Sequence, residues 1–316
     1  VKILIVMVRY QTPLSRSLTL RGLHDALASS PVLANMYTIM IWDNSQEAIP
    51  ADQLPPSLLY RHSEKNLGVS GAYNSSAHYA HEHGYPWMML LDQDTCIPMD
   101  FLQKMAQHCE ALLNRLEIAA VAPVVFVRKF LVSPRQQLFN RHRAYPFGEI
   151  GIAPGEAFAI NSGCVLRVTA LQQVGGYSTD FWLDYSDLYL FHQFFLYGLK
   201  VWRAADATLE HDMSIMDYDR LMSPSRYRNF SYAESAFNDL YKGRMENAVQ
   251  TLRVFVRALK QRKKYKNPEF SRIAWEQWMY RMRVPRKERI RRWIEAGKLR
   301  MISQSNPEDQ REKISS

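Results

Sequence analysis

The chain has 316 residues, 47% of them hydrophobic, with 40 Lys+Arg against 31 Asp+Glu and a net charge of +9. This is enough apolar chain for a real core in one large domain with an appendage, or in two domains. Three cysteines (Cys96, Cys109, Cys164) form no even framework and no C-x-x-C pair, which excludes a disulfide scaffold and fits a reducing compartment. No run of 18 apolar residues exists, so no segment reads as a bilayer span. The charge is uneven. Residues 1–219 hold 16 basic and 21 acidic side chains, and residues 220–316 hold 24 and 10. The basic character therefore belongs to the C-terminal third, as expected of a region that meets an anionic surface.

In chain order, residues 2–8 read as a first strand rather than a signal segment. Further strands are predicted at 37–42, 58–61, 88–91 and 119–127, with helices near 14–29, 70–83 and 100–115. Pro98 before Asp100 and Phe101 suits the entry to the third helix. This alternation predicts an α/β fold with a mixed, mainly parallel sheet flanked by helices. In such sheets ligands gather outside the carboxyl ends of the strands.

Four successive strand ends carry small, polar or aromatic residues. Tyr10 follows the first strand and can stack on a base. Asp43-Asn44-Ser45 follows the second, where Asp43 can accept from a base N–H. Asn66-Leu67-Gly68 through Gly71 to Asn74 follows the third. There the glycines permit close backbone approach, and a helix opening near Ser70 points N–H groups at phosphate. The fourth strand runs Trp87-Met88-Met89-Leu90-Leu91 and ends in Asp92-Gln93-Asp94. Two carboxylates after a buried apolar run suit a divalent cation carried by a phosphate ligand, with an ordinary solvated turn as the alternative.

The ordered set resembles the family-2 glycosyltransferases of the GT-A (nucleotide-diphosphosugar transferase) fold. Asp92-Gln93-Asp94-Thr95 and Leu183-Asp184-Tyr185-Ser186-Asp187 resemble the bacterial rhamnosyltransferase branch most. The match covers about residues 1–215. It implies that Asn161-Ser162-Gly163-Cys164 lines the donor and acceptor pocket, against the plainer reading of a buried strand bulged at Gly163. It implies Asp187 as catalytic base with Asp184 as the other candidate, and His211 beside the metal and diphosphate. Where the family often has acidic residues flanking the base, this chain has Ser186 and Tyr189, which bears on acceptor type.

The resemblance implies a nucleotide-diphosphosugar donor, dTDP-L-rhamnose foremost, and transfer to a glycan or lipid-diphosphate-linked hydroxyl in bacterial surface polysaccharide (O-antigen) synthesis. Tyr10 and Asp43 would hold the base, with Asn66, Gly68, Asn74, Ser162 and Gly163 around the donor. Asp94, with Asp92, would hold Mg²⁺ or Mn²⁺, and Asp187 would deprotonate the acceptor, inverting the anomeric centre. The expected location is cytoplasmic, peripheral at the inner face of the membrane.

The expected organisation is a catalytic domain over 1–219, a basic helical extension over 220–303 and a polar tail over 304–316. Helical patterns run from Tyr232 to Lys264 and from Phe270 to Arg300. Their apolar stripes are Val249, Leu252, Val256 and Leu259; Trp275, Trp278, Met279 and Met282; and Ile290, Trp293 and Ile294. Such helices either lie on an anionic membrane surface or pack on the catalytic domain. Charge alone would also suit nucleic acid, but no aromatic-interleaved motif or zinc spacing appears, so no nucleic-acid partner is expected. A catalytically silent scaffold is the other reading. A nucleotidyltransferase is disfavoured because no Gly-rich basic loop follows Val8.

Overall fold

The structure is a computed structural model that describes residues 1–127, 129–139, 141–210 and 222–304, with side chains as far as 296. The chain divides into two compact units, Val1–Tyr177 with Ser186–Met216, and Ser178–Tyr185 with Asp217–Ser316.

The first unit opens with β1 (Ile3–Arg9), α1 (Leu18–Ala28), α2 (Pro31–Met36), β2 (Tyr37–Asp43) and β3 (Leu58–His62). Next come α3 (Gly68–Glu82), β4 (Trp87–Asp92), α4 (Phe101–Ala111) and β5 (Ile118–Val127). Short strands follow: β6 (Phe130–Ser133), β7 (Arg135–Leu138), β8 (Arg141–Ala144), β9 (Gly151–Ile152) and β10 (Ala157–Phe158). The unit closes with β11 (Val165–Arg167), α5 (Val168–Val174), α6 (Ser186–Leu196) and β12 (Lys200–Glu210).

Among the described residues the main sheet has nine strands, in the order β3-β2-β1-β4-β11-β5-β12-β9 with β6 on β5, and β10-β7-β8 form a small second sheet. β3, β2, β1 and β4 pair in parallel, as do β5 and β12, while β11 runs antiparallel between β4 and β5. Period-two alternation splits the core onto the two faces. Leu4, Val6, Met88 and Leu90 pack on one side, and Ile3, Ile5, Trp87, Met89 and Leu91 on the other, all of them buried. Buried Arg167 lies over the Trp87 ring at 4.1 Å and donates to the carbonyls of Leu112 (2.7 Å) and Ile118 (2.7 Å). One guanidinium thereby satisfies a carbonyl left open where α4 ends and another at the start of β5.

From β1 the chain runs outward to β2 and β3, then returns to place β4 on the opposite side of β1. That reversal is a topological switch point, and it opens a crevice at the carboxyl ends of β1 and β4. The register sets Val8 opposite Asp92 and Arg9 opposite Asp43.

The second unit contains α7 (Pro224–Tyr241), α8 (Arg244–Lys264), α9 (Glu269–Arg283) and α10 (Arg286–Gln304). The helical patterns expected to run unbroken over 232–264 and 270–300 are each divided. Gly243 caps α8 in an extended conformation, and its N–H donates to Glu246 Oε2 at 2.8 Å. Pro285 lacks an N–H and pushes Val284 to extended geometry, so α9 stops there.

The interior of this unit is mixed: Tyr227, Phe237, Val254, Phe270 and Ile273 are buried together with polar and charged side chains. Asp239, Asn247, Gln250, Gln261, Arg281 and Arg289 are buried, whereas Val249, Leu252, Val256 and Leu259 are exposed. Trp275 and Met282 are exposed as well, while Trp293 is buried with its indole N–H donating to Asp239. No helix among the described residues is long and apolar enough to cross a membrane.

Candidate active site

At the switch point the ends of β1 and β2 are tied by one charge pair. Arg9 donates to the Asp43 carboxylate, to Ser45 Oγ at 2.9 Å and to the Thr12 carbonyl at 2.6 Å. Asp43 is fully buried and also accepts from the Tyr60 hydroxyl at 2.7 Å and the Ser45 N–H at 2.9 Å. Burial alone would raise its pKa. The hydrogen bonds from Ser45 and Tyr60 and the Arg9 charge outweigh that and hold the carboxyl below its usual range. Burial and the bond to Asp43 push the Tyr60 phenol up to about 12. Asp43, expected to face a base, is thus embedded among Arg9, Ser45 and Tyr60, and the exposed ring at this edge is Tyr10. The Tyr10 N–H reaches Gln93 Oε1 of the Asp-Gln-Asp segment at 3.3 Å.

The Asp-Gln-Asp turn is pinned from α1. Thr19 donates to the Asp92 carbonyl at 2.5 Å and accepts from the Thr95 N–H at 2.9 Å, and Ser17 donates to the Gln93 carbonyl at 2.8 Å. Asp92 is half-buried and Asp94 exposed. The two carboxylates therefore stand on a braced strand end, one of them open to a ligand.

The turn before α3 is built from asparagines. Asn44 Oδ1 accepts from Leu67 N–H (3.3 Å), Asn66 Oδ1 accepts from Gly68 N–H (2.9 Å), and Asn44 Nδ2 donates to the Gly68 carbonyl (2.9 Å). Gly68 turns the chain at φ +66°. The donors of Leu67 and Gly68 are hence satisfied by side chains within this turn. Asn74 is committed too, because its amide donates to the Tyr177 carbonyl and accepts from the Tyr177 N–H, both at 2.8 Å.

Asn161 Oδ1 accepts from the Tyr177 hydroxyl at 2.8 Å, and its Nδ2 donates to Ser186 Oγ at 3.2 Å. Ser162 pairs with Thr95 at 2.7 Å between their hydroxyls, joining this turn to the Asp-Gln-Asp loop. Gly163 sits at φ +81° in the packed core, where a Cβ would meet Leu209 at 2.1 Å. Its N–H bonds the Leu90 carbonyl at 2.7 Å, in keeping with a bulge before β11.

Asp187 lies in the first turn of α6, where helix N–H groups favour a carboxylate, and accepts from Leu188 N–H at 2.8 Å. Just before it Tyr185 takes φ +67°, a left-handed conformation seldom adopted by an aromatic residue. Asp184 falls in the other unit, paired with Arg226 at 2.9 Å. Burial raises its pKa more than Arg226 lowers it.

Between α3 and β4 lies Tyr73, fully buried, with no hydrogen-bond partner for its hydroxyl among the described residues. Burial, then the charges of Asp92 and Asp187, raise its pKa well above the usual phenol value. The fields of both acids reach this one phenol, although they come from distant parts of the chain. The sequence reading missed Arg9, Thr19, Tyr60 and Tyr73; a charged Arg closing an apolar strand was the available signal for the first.

Among the described residues no three His, Cys, Asp or Glu side chains cluster as a complete metal cage. The donor set at Asp92 and Asp94 still fits Mg²⁺ or Mn²⁺, since such ions take one or two carboxylates and complete their shell with ligand phosphates and water. His211 lies outside the described residues.

Residues 37–175 match the family described as Glycosyl transferase family 2. Among solved structures, the chain is similar to GalNAc-T7 with UDP, GalNAc and Mn²⁺, at 12% identity and a TM-score of 0.54 over 88% of this chain and 55% of that one. It is also similar to TarS of S. aureus, at 13% identity and a TM-score of 0.47 over 84% of this chain and 44% of that one. TarS 1–349 in complex with UDP matches at 13% identity and a TM-score of 0.48, over 92% of this chain and 77% of that one. The chain spans about half the length of the first two. No curated protein sequence matches it. The likeness to GalNAc-T7 and the sheet order show a GT-A fold.

Proposed function

For a chain whose residues 37–175 match glycosyl transferase family 2, we propose inverting transfer of a sugar from a nucleotide diphosphate to an acceptor hydroxyl, at the carboxyl ends of β1, β2 and β4. The observation that carries this reading is the pair of contacts Thr95–Ser162 (2.7 Å) and Asn161–Ser186 (3.2 Å), which tie the strand end bearing Asp92 and Asp94 to the start of α6 bearing Asp187. It supports one site holding both the donor's leaving group and the acceptor's proton.

Tyr10 stacks on the base, and the Arg9–Asp43–Tyr60 network fixes the loops that carry it. Asp94 and Asp92 are the side chains that would hold Mg²⁺ or Mn²⁺; when bound, the ion offsets charge on the departing diphosphate. Asp187 accepts the acceptor's proton as its oxygen attacks the anomeric carbon. A single displacement inverts that centre and leaves a nucleoside diphosphate and a protonated base. Asp187 is preferred to Asp184 because it lies in the first turn of α6, in the same unit as Asp92 and Asp94.

The donor proposed is dTDP-L-rhamnose, resting on the residues shared with the rhamnosyltransferase branch, and the acceptor a glycan or a lipid-linked diphosphate in surface polysaccharide synthesis. Association with the inner face of the membrane is proposed through the second unit. Its exposed stripe of Val249, Leu252, Val256 and Leu259, flanked by basic residues, supports that placement.

The test is a panel of nucleotide sugars with and without Mn²⁺ or Mg²⁺, read for nucleotide release and product. The reading expects metal-dependent release with dTDP-rhamnose, abolished by Asp94→Ala and by Asp187→Ala. Transfer by both variants would overturn it, and release from another donor alone would correct the sugar.

A further inference from the structure

The helical unit holds a cavity of about 460 Å³ where the N-terminal ends of α8 and α10 meet the end of α9. Its lining contains five arginines, Arg244, Arg281, Arg283, Arg286 and Arg289, and no carboxylate. Arg281 and Arg289 form a buried floor and share one acid, Asp239, at 3.2 and 2.8 Å. Arg286 turns its Nε and Nη2 to the Asp239 carbonyl at 3.2 and 2.9 Å, and it also bonds the Lys242 carbonyl. Two guanidiniums thus share one carboxylate, and a third, Arg286, meets only main-chain carbonyls, which leaves the floor with excess positive charge.

At the mouth, Arg244 and Arg283 are exposed and have no acidic partner among the described residues. Other exposed arginines of the same unit do have acidic partners: Arg228 pairs with Glu276, Arg272 with Glu269, and Arg291 and Arg292 with Glu288. The helix ends add to the field. Two N-termini open toward the cavity, while the Arg281 and Val284 carbonyls at the end of α9 already accept from Arg289. Planar guanidiniums match the oxygens of phosphate two at a time.

We propose that this cavity is a binding site for a phosphate or diphosphate group. The group comes either from a lipid headgroup or from a free phosphate compound. A lipid source fits the surface beside the cavity. Arg244 and Ala248 stand roughly a quarter turn around α8 from the exposed stripe of Val249, Leu252, Val256 and Leu259. A headgroup could enter the cavity beside a membrane-facing stripe. That source rests on the proposed membrane association; the anion site does not.

Inorganic pyrophosphate is titrated calorimetrically into the full chain with EDTA and no divalent cation, so that the strand-end carboxylates cannot bind it through a metal. The proteins are wild type, the double variant Arg244→Ala/Arg283→Ala, the cavity-filling Ala248→Trp, and Arg272→Ala as control. The site predicts saturable binding weakened at least about tenfold by the double variant and by Ala248→Trp, and unchanged in the control. No binding, or equal binding in all four, overturns it.

A second arm sediments the proteins with phosphatidylcholine vesicles, with and without phosphatidic acid. Retention that needs phosphatidic acid, is lost in the double variant and is competed by pyrophosphate assigns a lipid headgroup. Pyrophosphate binding without such retention assigns a free phosphate. Retention unaffected by the double variant overturns the lipid source, because the helical face would then be acting without the cavity.

Discussion

Asn74 grips the backbone of Tyr177 with both ends of its amide, at 2.8 Å each. The contact joins α3 to the end of the first segment of the first unit, and it fills the space where Gly176 would otherwise carry a side chain. Asn74→Ala leaves a peptide N–H and a carbonyl without their partners, and is expected to destabilise the fold by about 2 kcal/mol. Nucleotide affinity of the folded fraction should be unchanged. Urea unfolding and nucleotide titration of the same variant check this; an intact midpoint with lost affinity would give Asn74 a direct role toward ligand.

Gly176→Ala tests the same joint from the other side. The glycine sits at φ +72°, and a Cβ would lie 2.5 Å from Asn74 Oδ1. The substitution is expected to cost more than about 1 kcal/mol, since it adds a left-handed penalty to a displaced amide. Thermal melting reads it, and combining it with Asn74→Ala should cost less than the sum of the two.

Acid should unfold the two units through different carboxylates. Asp43 in the first unit and Asp239 and Glu234 in the second are held below their usual pKa. Burial opposes each shift; Ser45, Tyr60 and Arg9 overcome it at Asp43, Arg289 and Arg281 at Asp239, and Arg257 at Glu234. Groups with depressed folded pKa stabilise the fold above their unfolded values, about 3.9 for Asp and 4.3 for Glu, and lose that contribution as pH falls through the folded ones. Stability from these groups should be level above about pH 5 and fall below about pH 4. Asp239→Asn should flatten that fall and lower stability at pH 7 by about 3 kcal/mol, because Arg281 and Arg289 lose their shared charge.

Much of the fold was legible because apolar runs announce buried strands. β1, β2, β3, β4 and β5 fall within a residue or two of their predicted places, and the Asp92–Asp94 pair stands where β4 stops. β11 was not legible as a strand lying antiparallel between β4 and β5: three residues carry no periodicity, and direction is set by pairing partners far along the chain. Asn74 illustrates a second limit. Its motif position was readable, but the partner that takes up its amide, Tyr177, is adjacent only in space. In the helical unit, spacing told which residues share a face and not which way that face turns. Val249, Leu252, Val256 and Leu259 do form one stripe, but they face outward, while Val254 and Ala258 of the same helix are buried beside Asn247 and Gln261.

That outward stripe gives a direct prediction. Leu252→Ser and Leu259→Ser should change stability by less than about 0.5 kcal/mol, as exposed positions do, where burial would cost several times more. Sedimentation with anionic vesicles should fall for both variants if the stripe enters the headgroup layer. Loss of stability in urea with unchanged vesicle binding would mean that the stripe is covered by protein.

The central claim is that Asp187 takes the acceptor's proton while Asp94 serves the donor. The most direct measurement is single-turnover sugar transfer by Asp187→Asn, paired with titration of the nucleotide sugar in Mn²⁺. The account predicts donor affinity within about twofold of wild type and a transfer step slowed by about 10² to 10⁴. Transfer at the wild-type rate would contradict it.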